Sequence, residues 1–593
     1  MEIKRLIEQL ALENAVHHEG KAQPGSVIAK VIGSMPELKT TIKEWSKHVG
    51  SIVSMVNKMT VFEQTEKLKA IAPELLEKKK HEKRDELRPL PNADPGKPGK
   101  VVLRFEPSPS GLLHIGHCFS LLLNSEYAKM YKGRLILRIS DTNPDNVLPE
   151  AYALHEEAAQ WVTENTIHDV VIQSDRMESY YRAGLTLIEE GHAYVCECSQ
   201  EEFKQWSAKM MACACRNLGK DTMVKRWQRL FKREDEGGYL EGDAVVRLKT
   251  DMRHKNPAMR DFPLLRICEN EHPRQGSKYR VWPLMNLAVA VDDHELGITH
   301  VIRGKDHMDN TKRQTFLYDC MKWVQPFSYH IGRVKFEGLV LSKTKTKEAI
   351  DEGRFTGWDD IRLPILLVLR RRGYQPQSLV KLVRSMGVTE VDKRVEAGEF
   401  FKSLNFFNRE IVEPIANRYF FVENPKEITI AKAPKQSLNL DLHPDLRKGG
   451  RPFSTSKSFY LSPHDLDQIQ EGKLYRLMHC LNVIQKKGKF MCDSLDQETY
   501  SKLGAGIFHW LPADETGGSK SKGDKNGKGD KKGNGEMLAK VKLIMDDGSA
   551  RIGLGEPALK NITMGDIVQF ERIAFARYDH DEDDVKVFWY LHR

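Results

Sequence analysis

The chain has 593 residues and a mass of 68.0 kDa, several times a typical domain of ~150 residues, so several domains are expected. Apolar residues make up 40%, charged residues 30% and mean hydropathy is −0.52, which excludes an acidic disordered chain and an integral membrane protein. Lys+Arg against Asp+Glu is 92 to 83, and the resulting +9 permits a polyanionic partner without requiring one. No run of ~18 uncharged apolar residues is present, so no membrane is expected. The opening Met1-Glu2-Ile3-Lys4-Arg5 lacks the apolar core of a signal peptide. Nine cysteines are too few for a disulfide scaffold in so long a chain, so a reducing cytoplasm is the expected compartment.

In chain order, Ile3, Leu6, Ile7 and Leu10 recur at helical spacing, as do Ile42, Trp45, Val49, Ile52, Val53 and Val56, with a break between Gly20 and Gly25. A helical domain and linker over 1–88 follow from this, the linker turning to charge and then proline. Val101–Phe105 reads as a strand, Pro107–Gly111 as a turn, His117–Tyr131 as a helix and Arg134–Ile139 as a second strand, the βαβ unit of a parallel sheet. Gly297–Gly304 reads as a later strand of that sheet. Residues 195–279 lack β/α rhythm and read as an insertion between two parts of the α/β domain, 99–194 and 280–335. Residues 336–417 are expected to be helical, including the Leu363–Leu369 run. Residues 418–593 read as short strands such as Tyr419–Val422, Ile567–Phe570 and Val587–Leu591. The tract 514–536, free of aromatic and aliphatic residues, is expected to be a disordered loop.

His114-Ile115-Gly116-His117 stands where the first loop becomes a helix. A helix N-terminus offers free N–H groups to phosphate, imidazoles add donors, and a glycine between them lets a flat base approach. Val340-Leu341-Ser342-Lys343-Thr344 places a lysine on a basic loop, suited to a pyrophosphate leaving group. Cys196, Cys198, Cys213 and Cys215 fall within 20 residues of each other; structural Zn²⁺ is one reading, with His192 as an alternative ligand, and plain reduced thiols the other.

The first two motifs resemble the HIGH and KMSKS signatures of class I aminoacyl-tRNA synthetases. Arg104-Phe105-Glu106-Pro107-Ser108-Pro109-Ser110-Gly111 and Leu137-Arg138-Ile139-Ser140-Asp141-Thr142-Asn143-Pro144 narrow this to the glutamyl/glutaminyl family. Val291-Asp292-Asp293-His294, Arg303-Gly304-Lys305-Asp306-His307 and Ala11–Ala15 with Gly20-Lys21-Ala22 are similar to its archaeal glutamyl branch. The resemblance implies a multi-domain chain: a Rossmann-like α/β catalytic core, an inserted acceptor-binding domain, N-terminal and linking helical domains, and C-terminal all-β anticodon-binding barrels. It implies that ATP, with Mg²⁺, converts L-glutamate to an adenylate, which passes to the terminal ribose of tRNA(Glu), with tRNA(Gln) as a further acceptor to be tested. A monomer is expected.

By the same resemblance, His114, Gly116, His117, Ser342 and Lys343 are catalytic, with Asp306 joining His114, Gly116, His117 and Lys343 at ATP. Arg104, Ser108 and Arg303 would contact glutamate. Arg303 would pair with the side-chain carboxylate and so favour glutamate over glutamine; its alternative role is a strand-end salt bridge with Asp306 or Asp293. Ser140 departs from the family acid that holds the substrate ammonium; either another acid compensates, with Glu106 the candidate for an exchanged carboxylate, or glutamate affinity is weakened. Trp510, Phe508, Phe570 and Phe588 are the aromatics available to stack on bases, with core packing as the first reading of each. Two competing readings are a glutaminyl enzyme and a non-catalytic RNA-binding paralogue.

Overall fold

The computed structural model describes residues 2–18, 20–35, 42–75, 87–93, 99–387, 389–513 and 537–593. The expected disordered tract 514–536 and most of the 77–88 linker lie outside the described residues. The chain divides into two compact units, residues 1–86 and 87–593.

The first unit is built from helices Glu2–His17, Pro24–Ser34, Ile42–Val56 and Val61–Ile71. The predicted apolar stripes supply its core, with Ile7, Leu10, Trp45, Val49 and Val53 buried beside Leu68. The break at Gly20 is enforced by a φ of 84°. Thr60 and Glu63 form a capping box that starts the last helix.

In the second unit the strands Val102–Phe105, Arg134–Ile139 and Ile167–Ile172 form a parallel sheet in chain order. His300–Gly304 and Phe327–Ile331 form a separate parallel pair. The pair abuts the first strand through Thr299, whose N–H donates to the Val102 carbonyl at 3.0 Å and whose hydroxyl oxygen accepts the Val102 N–H at 2.9 Å. Later strands thus lie beside the first, on the side away from Arg134–Ile139. This reversal of strand order leaves a crevice beyond the carboxyl ends of Val102–Phe105 and His300–Gly304.

Between the two parts, strands Ala193–Cys196, Val245–Leu248, Pro263–Ile267 and Val281–Pro283 form an antiparallel sheet. Its core also takes residues from helices Met177–Glu189 and Met285–Glu295, so the insertion is rooted in both flanking catalytic parts. The Leu363–Leu369 run is only partly helical. The helix starts at Leu366, while the Pro364 carbonyl accepts the Ile115 N–H at 3.0 Å and the Leu113 carbonyl accepts the Leu366 N–H at 2.9 Å. Pro364 has no N–H to give a helix, and its segment pairs with the histidine-bearing loop instead.

The C-terminal region holds two seven-stranded sheets. In one, the outermost strands are the chain neighbours Asn417–Tyr419 and Phe421–Glu423, which pair with Ile567–Phe570 and Ala550–Gly555 and so close the sheet on itself. The single strand read at Tyr419–Val422 is therefore two, split at Phe420, whose N–H turns to the Glu556 carboxylate. The other sheet closes likewise between Gly504–Phe508 and Leu511–Pro512. Trp510, Phe508, Phe570 and Phe588 are all buried in these barrels, so they are core residues and not base-stacking platforms. Val587 and Trp589 of the last strand pack with Leu112, Leu363 and Ile365 beside the histidine loop.

Candidate active site

His114 is the N-cap of helix Ile115–Met130. Its Nδ1 accepts the Gly116 N–H at 3.0 Å, and His117 Nδ1 accepts the His114 N–H at 3.3 Å. With both Nδ1 lone pairs engaged, each ring carries its proton on Nε2. The rings stack with centroids 3.9 Å apart. Burial pushes His114 down to about 4, and Lys343 acts in the same direction. Burial, then the neighbouring His114 and Lys343, hold His117 well below the ordinary histidine range. Both are neutral donors near pH 7, able to polarise a phosphate without repelling Lys343. A Cβ on Gly116 would lie 2.8 Å from His114 Cε1, so the glycine first makes room for the histidine ring itself.

Lys343 opens helix Lys343–Asp351, capped by Ser342, whose side chain accepts the Lys345 N–H. Its Nζ donates to Ser110 Oγ at 2.8 Å and to the Ser108 carbonyl at 3.2 Å, so the basic loop is folded over the serine-proline turn. Burial lowers its pKa. Its stem lies against Gly111, where a Cβ would come within 3.0 Å of Lys343 Cγ and Cδ. Underneath, fully buried His155 donates from Nε2 to the Gly111 carbonyl at 2.8 Å. Sequence reading missed His155; the signal was a histidine on a helix face otherwise made of Ala151, Ala158, Ala159 and Val162.

Arginines on three strands meet beyond the sheet. Arg104 contacts Asp293 and Glu106, each at 3.2 Å, and Arg138 contacts the same two carboxylates at 2.7 and 2.9 Å. Gln173 Nε2 adds a donor to Glu106 at 3.3 Å. Glu106 lines the cavity and is held by two guanidinium groups and an amide, which fixes the orientation of the carboxylate expected in exchange for the acid missing at Ser140. Ser140 lines the cavity and donates its N–H to the Pro107 carbonyl at 3.0 Å. Asp141, also past the strand end, is engaged elsewhere, accepting from Tyr152 at 2.7 Å and from Ser174 N–H at 2.8 Å.

Arg303 differs from its two neighbours. Its Nη2 donates to Thr311 Oγ1 and, at 2.8 Å, to Gln314 Oε1, while Nε and Nη1 are buried without a partner. Among the described residues no carboxylate lies within ion-pair distance of it. The alternative salt bridge is not formed: Asp293 is taken by Arg104 and Arg138, and Asp306 lies 3.8 Å from His307. Burial, then the nearby Arg104, lowers the Arg303 pKa to about 10, which still leaves it charged at neutral pH. Arg104, Ser108, Gly116, His117, Arg303, Asp306 and Lys343 line one cavity of about 910 Å³ at the strand ends; His114 stands behind His117.

The four cysteines meet in the insertion, their Sγ atoms all within 4.8 Å of one another and Cys196 and Cys213 3.8 Å apart. Tetrahedral zinc with bonds of ~2.3 Å needs sulfur pairs ~3.8 Å apart, so this donor set fits the ion. The thiol of Cys196 donating to Cys213 pulls the latter's pKa down, toward the thiolate a metal requires. His192 is not in the cluster; its ring lies 3.8 Å from Glu190.

A crevice at a strand-order reversal, with paired histidines at a helix N-terminus facing a lysine loop, defines a class I nucleotide-activating synthetase core. Comparison with known families agrees: residues 100–413 match the model of the class I tRNA synthetase (E and Q) catalytic domain, and 416–496 and 507–579 match two anticodon-binding domains of the same family. The chain belongs to this family. It is 39% identical to the glutamate–tRNA ligase of Methanocaldococcus jannaschii over 98% of this chain and 99% of that one. It is equally similar, over the full length of both chains, to those of Methanobrevibacter smithii and Pyrococcus abyssi, each 39% identical.

Proposed function

We propose that the chain attaches L-glutamate to tRNA(Glu). A carboxylate oxygen of glutamate attacks the α-phosphorus of ATP, the bond to pyrophosphate breaks, and glutamyl-adenylate forms. The 2′-hydroxyl of the terminal ribose then attacks the acyl carbon, releases AMP and leaves a glutamyl ester. No protein nucleophile is required; the residues position and stabilise charge. The neutral Nε2–H of His117, which lines the cavity, would meet the reacting phosphate, with His114 stacked behind it. Lys343 would leave Ser110 for the pyrophosphate as its charge develops. Asp306, Ser108 and Arg104 complete the cavity wall around ATP and the amino acid. Mg²⁺ accompanies ATP as its counterion. Zn²⁺ held by Cys196, Cys198, Cys213 and Cys215 would cross-link the insertion and take no part in the reaction. A cytoplasmic monomer is part of the same proposal.

A second cavity of about 750 Å³ supports an RNA end entering from the insertion side. It shares Leu284 and Met285 with the first, and its wall carries Lys204, Arg247, Arg260 and Arg313 without a carboxylate. Arg247 stacks on Phe203 at 3.5 Å and keeps a buried Nε without a partner.

The observation that carries the amino-acid assignment is a charged Arg303 on the cavity wall with no carboxylate among the described residues within ion-pair distance, a good partner for a carboxylate and a poor one for an amide. ATP–pyrophosphate exchange with glutamate or glutamine, with and without tRNA(Glu) and tRNA(Gln), tests it. Exchange with glutamate, dependent on tRNA, is expected. Exchange with glutamine alone identifies a glutaminyl enzyme, and none under any condition identifies the non-catalytic paralogue.

A further inference from the structure

Arg104, Arg138 and Arg303 stand at the same strand ends, yet their charges are treated differently. Arg104 and Arg138 share Asp293 and Glu106, and their charge is balanced within the protein. Arg303 is held only by the neutral oxygens of Thr311 and Gln314, one helical turn apart on helix Met308–Met321. Both acceptors sit on the same nitrogen, Nη2. The Gln314 amide is itself oriented, since its Nε2 donates to Asn286 Oδ1 at 3.4 Å and its oxygen is left for Arg303. The Thr311 hydroxyl lies 2.8 Å from His330 Nε2, which fixes it from the far side. Gln314 is buried to 3% exposure, so no water competes for this contact. Orientation is thus supplied through Nη2 alone, while Nε and Nη1 make no hydrogen bond and the guanidinium charge is left without a carboxylate within ion-pair distance among the described residues.

We propose that Gln314, supported by Thr311, is a specificity-determining positioning residue: it anchors Arg303 by a neutral acceptor so that the compensating carboxylate must come from the amino-acid substrate. The proposal rests on the reading of Arg303 as the seat of the glutamate side chain. A glutamate at position 314 would have almost the same shape and hydrogen bond but would balance Arg303 from within. The substrate carboxylate would then meet a neutral pair, and a neutral glutamine side chain would no longer leave a buried charge uncompensated.

The test is tRNA-dependent ATP–pyrophosphate exchange by the full-length protein, with KM and kcat measured for glutamate and glutamine. Gln314→Glu is expected to raise KM for glutamate by roughly 100-fold, the scale of one lost charge-assisted contact, with a smaller change in kcat, and to bring glutamine within about tenfold of glutamate. Gln314→Met, similar in volume but without an acceptor, is expected to raise KM for glutamate only about tenfold and to leave glutamine excluded. Thr311→Asp puts a carboxylate on the same Nη2 from the preceding turn, and it carries the test if Gln314→Glu does not fold. An unchanged KM for glutamate in Gln314→Glu overturns the proposal, as does the same selectivity in Gln314→Glu and Gln314→Met. Arg303→Gln separates the two claims: if it leaves KM for glutamate unchanged, the reading of Arg303 falls, whereas a raised KM there with an unaffected Gln314→Glu overturns the role of Gln314 alone.

Discussion

A single atom of Gly116 separates a working histidine pair from a disrupted one. A Cβ there would sit 2.8 Å from the His114 ring, which stacks on His117 and cannot retreat without breaking that contact. Gly116→Ala is therefore expected to reduce kcat for exchange by ~10- to 100-fold, the scale of one lost transition-state donor, while the melting temperature moves little. Steady-state exchange with a parallel melting curve checks this; an unchanged kcat would mean that the ring geometry is not used. His114, Gly116, His117 and Lys343 were legible in the sequence because local spacing on one loop and one helix start brings out their chemistry. Asp293, Thr311, Gln314 and His155 take their roles from tertiary placement. Gln314 touches Arg303 only because helix Met308–Met321 folds back over the strand that carries it, and no local pattern reports that contact. The partners of Glu106 were illegible for a related reason: Arg104 and Arg138 reach its carboxylate from two different strands.

At the scale of elements, the insertion shows how a sheet too small for a large core can be fastened. Cys196 ends its first strand, Cys213 caps the turn Ala214–Asn217 and Cys215 lies within it, so one ion at the four sulfurs would tie the strand end to the turn before helix Lys220–Leu230. The purified protein is expected to contain one zinc per chain by elemental analysis. Cys213→Ser is expected to lose it and to melt the insertion at lower temperature, because the binding energy of a structural zinc is folding energy. Metal-free protein with an unaltered melting curve would contradict this. Cysteine spacing made the cluster legible. The boundaries of strands were less so: Tyr419–Val422 reads as one apolar run, yet closing the barrel demands a break at Phe420. Leu363–Leu369 reads as a helix, yet Pro364 gives its segment to the loop before His114.

At the scale of the whole second unit, neutral histidines sit where parts join. His155 holds the loop over which Lys343 folds, and His592 Nε2 meets Asn408 at 3.0 Å where the last barrel strand meets helix Ala397–Val412. Burial lowers His114, His155 and His592 to about 4 each. A depressed histidine pKa means that the unfolded chain binds more protons than the folded one between about 4 and 6.5, so stability falls as pH drops through that window. One such group contributes up to ~3 kcal/mol. Calorimetry is expected to show the melting temperature falling from pH 7 to pH 5; a flat profile over that range would contradict the neutral assignment. The order of domains was legible because the motifs fall in separate stretches of chain. The contact of Val587 and Trp589 with Leu112 and Ile365, which ties the C-terminal barrel to the histidine loop, was not, because it joins residues far apart in sequence. These modules frame one cavity, lined by His117 and Lys343, in which the proposed role of Arg303 is to keep an uncompensated charge for the substrate's side chain. A crystal structure of the protein with a non-hydrolysable glutamyl-adenylate analogue tests it most directly. The side-chain carboxylate is expected within hydrogen-bond distance of the Arg303 guanidinium, with the adenylate phosphate beside His117; a side-chain carboxylate seated away from Arg303 would contradict the assignment.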